Sequence, residues 1–139
     1  MSNNPLPRGI RNNNPGNIRY NGIEWLGLST PPSDGAFCVF TEAKFGIRAL
    51  AVLFRNYKNN YGINTISGII NRFAPSTEND TAAYVAQVCK ALGCAANTPL
   101  DTESEAVLLP LVKAIIRHEN GQQPYTDEQI KEGLNARNA

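Results

Sequence analysis

Apolar positions along most of the chain recur at the three-and-four spacing of a helix face. From Lys44 onward, Ile47, Leu50, Ala51, Phe54 and Tyr57 fall on one side, and Gly62 closes the run. Ile66, Ile69, Ile70 and Phe73 make a second face, with Thr65 placed as its N-cap and Pro75 as its stop. A third helix starts at Asn79 or Asp80, turns Val85, Val88, Cys89 and Leu92 inward, and ends at Gly93. A fourth helical region runs from Thr102 to Glu119. Thr102 and Glu105 have the spacing of a capping box, and Pro110 predicts a kink or a break inside the region. Thr126 and Gln129 form a second capping box, opening a short last helix with Ile130 and Leu134 inward.

The front of the chain lacks this period. Residues 1–16 are rich in Asn, Pro and Gly and read as an irregular lead-in. Asn21-Gly22 is a hairpin-turn signal between Tyr20 and Ile23. "STPPSDG" (29–35) reads as a loop and "AFCVF" (36–40) as a short strand. The pattern predicts one α+β domain over residues 1–139, mostly helical, with a small β-hairpin region.

Composition narrows the partners. At 42% apolar and 18% charged residues, the chain has the balance of a folded domain. A net charge of +1 argues against nucleic acid as the main partner, because nucleic-acid binders carry a basic excess or stripe. Three cysteines, Cys38, Cys89 and Cys94, are an odd number in a chain with ample core, which argues against a disulfide framework. No metal-ligand spacing and no cofactor motif is visible. "MSNNPLPRGI" has no apolar signal region and no segment is long and apolar enough to span a membrane. The expectation is a chain made in the cytoplasm, and carried to any external target by another agent.

One stretch carries candidate chemistry. In "KAIIRHENGQQP" (113–124), Glu119 follows Val112, Ile115 and Ile116 at i+7, i+4 and i+3, so a carboxylate shares the apolar face. Gly121 ends the helix there. Partial desolvation disfavours the charged form, and the negative end of the helix dipole disfavours an anion by roughly 0.3–1 kcal/mol. Both suit a group that must donate a proton. A plainer reading stands beside it, in which Glu119 reaches solvent or pairs with Arg117. His118 reads as a cap or packing residue.

"AIIRHENG" (114–121) resembles the catalytic helix of goose-type lysozymes and lytic transglycosylases, where the acid Glu ends a helix of the form A-I-x-x-x-E-S-G. "GIRALAVLFRNYKNNYG" (46–62) is similar to a later helix of that domain. "FAPSTENDTAAYVAQV" (73–88) resembles its P-x-E-T-x-x-Y-V-x-x-V segment, with Tyr84 and Val85 at the tyrosine–valine pair. At the front, "NNPGNIR" (13–19), "WLG" (25–27) and "FCVF" (37–40) are similar to motifs of flagellar-type glucosaminidases. The whole chain also looks like small phage and prophage proteins described as virion structural proteins. In both enzyme families the catalytic helix precedes these motifs, whereas here it follows them. The resemblance therefore implies a circularly permuted lysozyme-like domain, which a chain tolerates when its original ends lie close together.

The resemblance implies cleavage of the β-1,4 glycan strands of peptidoglycan, with Glu119 as catalytic acid and no cofactor or metal. Asn14, Asn17, Arg19 and Tyr20 would contact sugar, as would Glu78 and Tyr84 on the other side. The dense asparagines of residues 12–17 have a second explanation in turn chemistry, Tyr84 in packing, and Trp25 in either sugar stacking or core. Asp80, Asp101, Glu105, Asp127 and Glu128 look like helix-start residues. One carboxylate then favours a lytic transglycosylase forming 1,6-anhydro-muramic products over a muramidase. The implied setting is a phage particle, with other virion proteins as further partners. The alternative is a virion structural or wall-binding protein of the same fold with little or no catalysis.

Overall fold

The computed structural model describes residues 6–77 and 79–138. Among them the chain forms six α-helices, a two-stranded antiparallel sheet and a closing 3-10 turn, an α+β fold that is mostly helical. The elements are α1 (Arg8–Arg11), β1 (Leu28–Ser33), β2 (Cys38–Phe40), α2 (Ala43–Tyr61), α3 (Ile66–Phe73), α4 (Thr81–Leu92), α5 (Glu105–Asn120) and α6 (Asp127–Asn135).

Helix α2 is the spine. Its apolar stripe of Ile47, Leu50, Ala51, Phe54 and Tyr57 is buried, and it ends where Gly62 turns left-handed at φ 68°. Helix α6 lies along α2, and α5 packs on both α4 and α6. The caps follow from the residues present. Thr65 accepts from the Gly68 N–H at 3.0 Å, Asp80 accepts from Ala83 at 3.2 Å, and Thr126 with Gln129 closes a complete capping box. One apolar core joins all the helices to Ile18, Cys38 and Phe40 at the front.

Several local expectations are corrected. Residues 8–11 form a short helix within the segment read as irregular. The stretch read as a loop at 29–35 supplies most of β1, paired Leu28 to Phe40 and Ser33 to Cys38 with an irregular register between. Prolines are tolerated there because both strands of a two-stranded sheet are edges. The reversal lies at 34–37 and not at Asn21-Gly22. Asp34 holds it by accepting from the Ala36 and Phe37 N–H groups at 3.0 and 2.8 Å. Arg8 Nε at 2.6 Å and Asn12 Nδ2 at 2.9 Å take its other oxygen. The Arg8 guanidinium, and then the Phe37 N–H, hold the Asp34 carboxyl well below the usual carboxylate range.

The cap of helix α5 falls two residues later than expected, at Ser104, with Thr102 fully buried behind it. It runs unbroken through Pro110. In α4 the inward face is Thr81, Tyr84 and Val88, while Val85, Cys89 and Leu92 are only half-buried against the core. No helix among the described residues is long and apolar enough to cross a membrane.

Candidate active site

The end of α5 meets the asparagine-rich front of the chain. Ile115 and Ile116 are fully buried and fix the helix; one turn further on, Glu119 is half-buried. Gly121 terminates the helix at φ 72°, its N–H bonded to the Arg117 carbonyl at 2.8 Å. Asn120 joins the two segments. Its Nδ2 donates to the Ile116 carbonyl at 2.9 Å within the helix and to the Pro15 carbonyl at 2.8 Å across the junction.

The front segment is shaped by its asparagines, each differently. Asn13 and Asn17 adopt left-handed backbone at φ 52° and 51°, a conformation asparagine tolerates better than most residues. Asn13 Nδ2 donates to the Phe40 carbonyl at 3.1 Å. Asn14 is fully buried. Its Nδ2 bonds the carbonyls of Ile18 and Cys38 at 2.9 and 3.0 Å, and its Oδ1 accepts from the Ile18 N–H at 3.0 Å. That bracket ties residues 14–18 to β2. Asn14 is therefore a structural tie, which corrects its assignment as a sugar contact: the side chain is fully buried and both of its amide hydrogens are committed to backbone carbonyls.

Asn17 reaches the other way. Its Nδ2 donates to Glu119 Oε1 at 3.0 Å, and the Tyr84 hydroxyl donates to Glu119 Oε2 at 2.9 Å. Each carboxylate oxygen thus receives a donor, one from the front loop and one from α4. The Tyr84 ring is fully buried. Burial, then the neighbouring Glu119 charge, pushes its phenol far above the ordinary tyrosine range, so it stays a donor.

Gly9 permits this approach. A Cβ there would lie 2.6 Å from Asn120 Oδ1, 2.7 Å from Asn17 Oδ1 and 2.8 Å from the Asn14 carbonyl. The two amide oxygens are buried without a hydrogen-bond partner among the described residues and occupy the space that a Cβ would take.

Glu119 opens onto a cleft of about 380 Å³. One wall comes from Asn17, Ile18, Arg19, Ile23, Trp25 and Phe37, the other from Leu53 and Tyr57 of α2 with Phe73, Ala74 and Asn79. Among the described residues Glu119 is the only acidic side chain lining it. Apolar and aromatic faces with a few amides suit a ring that has an apolar face and a rim of hydroxyls.

The structure thus brings Asn17, Arg19, Tyr84 and Glu119 together at or beside one cleft. Arg19 lines it with its guanidinium 4.8 Å over the Phe37 ring. Tyr20 is exposed and outside the cleft lining, its N–H bonded to the Ala36 carbonyl. Glu78 lies outside the described residues. Trp25 both lines the cleft and packs on the core. Among the described residues Glu119 is bonded to Asn17 and Tyr84 and not to Arg117. Sequence reasoning missed Gly9, Asn120 and the partners of His118, whose ring stacks on Tyr84 at 3.6 Å. The adjacency of "HEN" before a helix-ending glycine was the available signal.

No protein-family model matches the chain. The chain is 40% identical over 134 residues to Protein P5 of Pseudoalteromonas phage PM2, an alignment covering 94% of this chain and 82% of that protein.

Proposed function

The chain belongs to the family of Protein P5 of Pseudoalteromonas phage PM2, and we propose that it cleaves the β-1,4 glycan strands of peptidoglycan, with Glu119 as the acid. The observation that carries this reading is the seating of Glu119: a carboxyl held by Asn17 and Tyr84 on the wall of a cleft of about 380 Å³. The carboxyl protonates the glycosidic oxygen as the C1–O bond breaks. The carboxylate that results, still held by both donors, then takes the C6 hydroxyl proton as O6 closes on C1. The leaving strand keeps the first proton, and a 1,6-anhydro ring forms without water.

The described lining of the cleft carries one acid, Glu119, and the intramolecular route requires no other. The Asn120–Pro15 and Asn17–Glu119 bonds support a permuted lysozyme-like domain, because they join the end of α5 to the front segment. The phage relative supports a role carried out from a phage particle at the host wall.

The test is incubation of the purified protein with cell walls, followed by turbidity and by mass spectrometry of released fragments. The expected result is clearing, with muramic ends that have gained no water. Reducing-end muramic acid would make the chain a muramidase, and Glu78, Glu24 and Glu42 the candidates for a second carboxylate. Reducing-end glucosamine would make it a glucosaminidase. Wall binding without clearing would make it a virion structural or wall-binding module, and the catalytic reading would fall.

A further inference from the structure

The single histidine of the chain sits beside Glu119, and the contacts made by its ring lead back to that carboxylate. We infer that His118 is a positioning residue: clamped by Gln87 and stacked on Tyr84, it holds the phenol hydroxyl on Glu119. The inference rests on the reading of Glu119 as the catalytic acid.

Three contacts carry it. The His118 and Tyr84 rings are stacked, with centroids 3.6 Å apart and planes 20° from parallel. The Nδ1 atom of His118 bonds Oε1 of Gln87. The Tyr84 hydroxyl donates to Glu119 Oε2 at 2.9 Å. Gln87 is three residues beyond Tyr84, on the same side of α4, so α4 grips the imidazole through both a ring face and an amide. The next residue of α5 is Glu119 itself. The clamp therefore sets the register of α4 against α5 at the point where their side chains meet.

The stack covers one face of a phenol that is fully buried. Without the imidazole, the ring gains room to tilt and water gains access to it. A hydroxyl displacement of about 1 Å takes the 2.9 Å bond out of range. That bond matters most once Glu119 has delivered its proton and carries full charge. A fixed donor stabilises that charge without reorganising. Its loss falls on the chemical step and not on sugar binding, so kcat drops while KM holds.

The test compares His118→Ala and His118→Phe in the full chain, with Gln87→Ala as a second way to loosen the clamp if His118→Ala does not fold. Two readouts are taken: kcat and KM on cell walls, and the NMR resonance of the Tyr84 hydroxyl proton, identified by its absence in Tyr84→Phe. His118→Ala and Gln87→Ala are expected to lower kcat, about tenfold to a hundredfold for the alanine at 118, at unchanged KM. Both should also shift the hydroxyl resonance or speed its exchange. His118→Phe keeps a flat ring on Tyr84 and should recover most of the kcat. Wild-type kcat in the folded alanine variants, a rise in KM alone, or an unmoved hydroxyl resonance would each overturn the inference. If the wild-type protein shows no turnover, the catalytic reading fails separately, and the hydroxyl resonance still decides whether His118 positions the phenol.

Discussion

Replacing Gly9 by alanine sets two effects of opposite sign against each other. Alanine favours helical backbone over glycine by up to about 1 kcal/mol, and by less in a helix of only four residues. Against this, the new Cβ would meet Asn120 Oδ1, Asn17 Oδ1 and the Asn14 carbonyl at 2.6, 2.7 and 2.8 Å. None of the three can yield freely. The Asn14 carbonyl accepts the Asn17 N–H at 2.9 Å, and the Asn14 side chain is bonded at both ends. The amide nitrogens of Asn120 and Asn17 are committed to Pro15, Ile116 and Glu119. Overpacking of this kind costs about 1–3 kcal/mol, so the clash wins. Urea denaturation of the full chain should show Gly9→Ala less stable by about that amount. Arg11→Ala, on the exposed side of the same helix, should stay within about 0.5 kcal/mol of wild type. Wall clearing should fall even where Gly9→Ala is fully folded, because a displaced Asn17 loosens its grip on Glu119. A Gly9→Ala protein as stable as wild type would refute the close approach and the account of the junction built on it.

Glu119→Gln keeps the shape but cannot donate the proton, so turbidity assays should show wall clearing reduced by about 10²–10⁴ with the fold intact. Asn14→Ala removes three buried hydrogen bonds, and should cost about 2–4 kcal/mol by chemical denaturation. Asp34→Asn should reveal a pH-dependent tie. The folded carboxyl titrates below its unfolded value near 3.9, so its contribution is complete above that pH and disappears as pH falls through the lower folded value. The stability gap between wild type and Asp34→Asn, read by urea denaturation at stepped pH, should be constant at neutral pH and close in acid.

Helices α2 to α6 were readable because each one's apolar stripe faces a single core, and because its ends are set by residues within about one turn. Thr65, Asp80 and the Thr126–Gln129 pair cap where their spacing says they should. The sheet was not readable. Pro31 and Pro32 argue for a loop on local grounds, and the reversal at 34–37 is held by Asp34 through its bonds to the Ala36 and Phe37 N–H groups together with the distant Arg8 and Asn12. The face of α4 was misjudged for a related reason. Thr81, Tyr84 and Val88 have a helical spacing as good as that of Val85, Val88 and Leu92, but only the second set is wholly apolar, and packing and cleft contact were equally open for Tyr84. Tyr84 can be fully buried because its hydroxyl has a partner 35 positions away in sequence.

Glu119 could be singled out from the sequence because an acid on an apolar stripe is an inconsistency that asks for a cause. The stripe of Val112, Ile115 and Ile116 lies in the core with no exposed surface. One turn later the same face has left the core and become part of the cleft wall. The carboxylate therefore lies on the apolar face because that face continues past the core into the cleft. Which of the neighbouring asparagines would meet it was beyond any composition argument. Asn12 to Asn14 and Asn17 are the same residue type within six positions, yet their nitrogens go to Asp34, the Phe40 carbonyl, the Ile18 and Cys38 carbonyls, and Glu119 respectively. What distinguishes them is backbone direction. The backbone is left-handed at Asn13 and Asn17, and the Asn14 bracket fixes residues 14–18 against β2. The specificity of the junction therefore resides in where the chain turns: the bracket made by Asn14 fixes the segment, and Asn17 within it reaches Glu119.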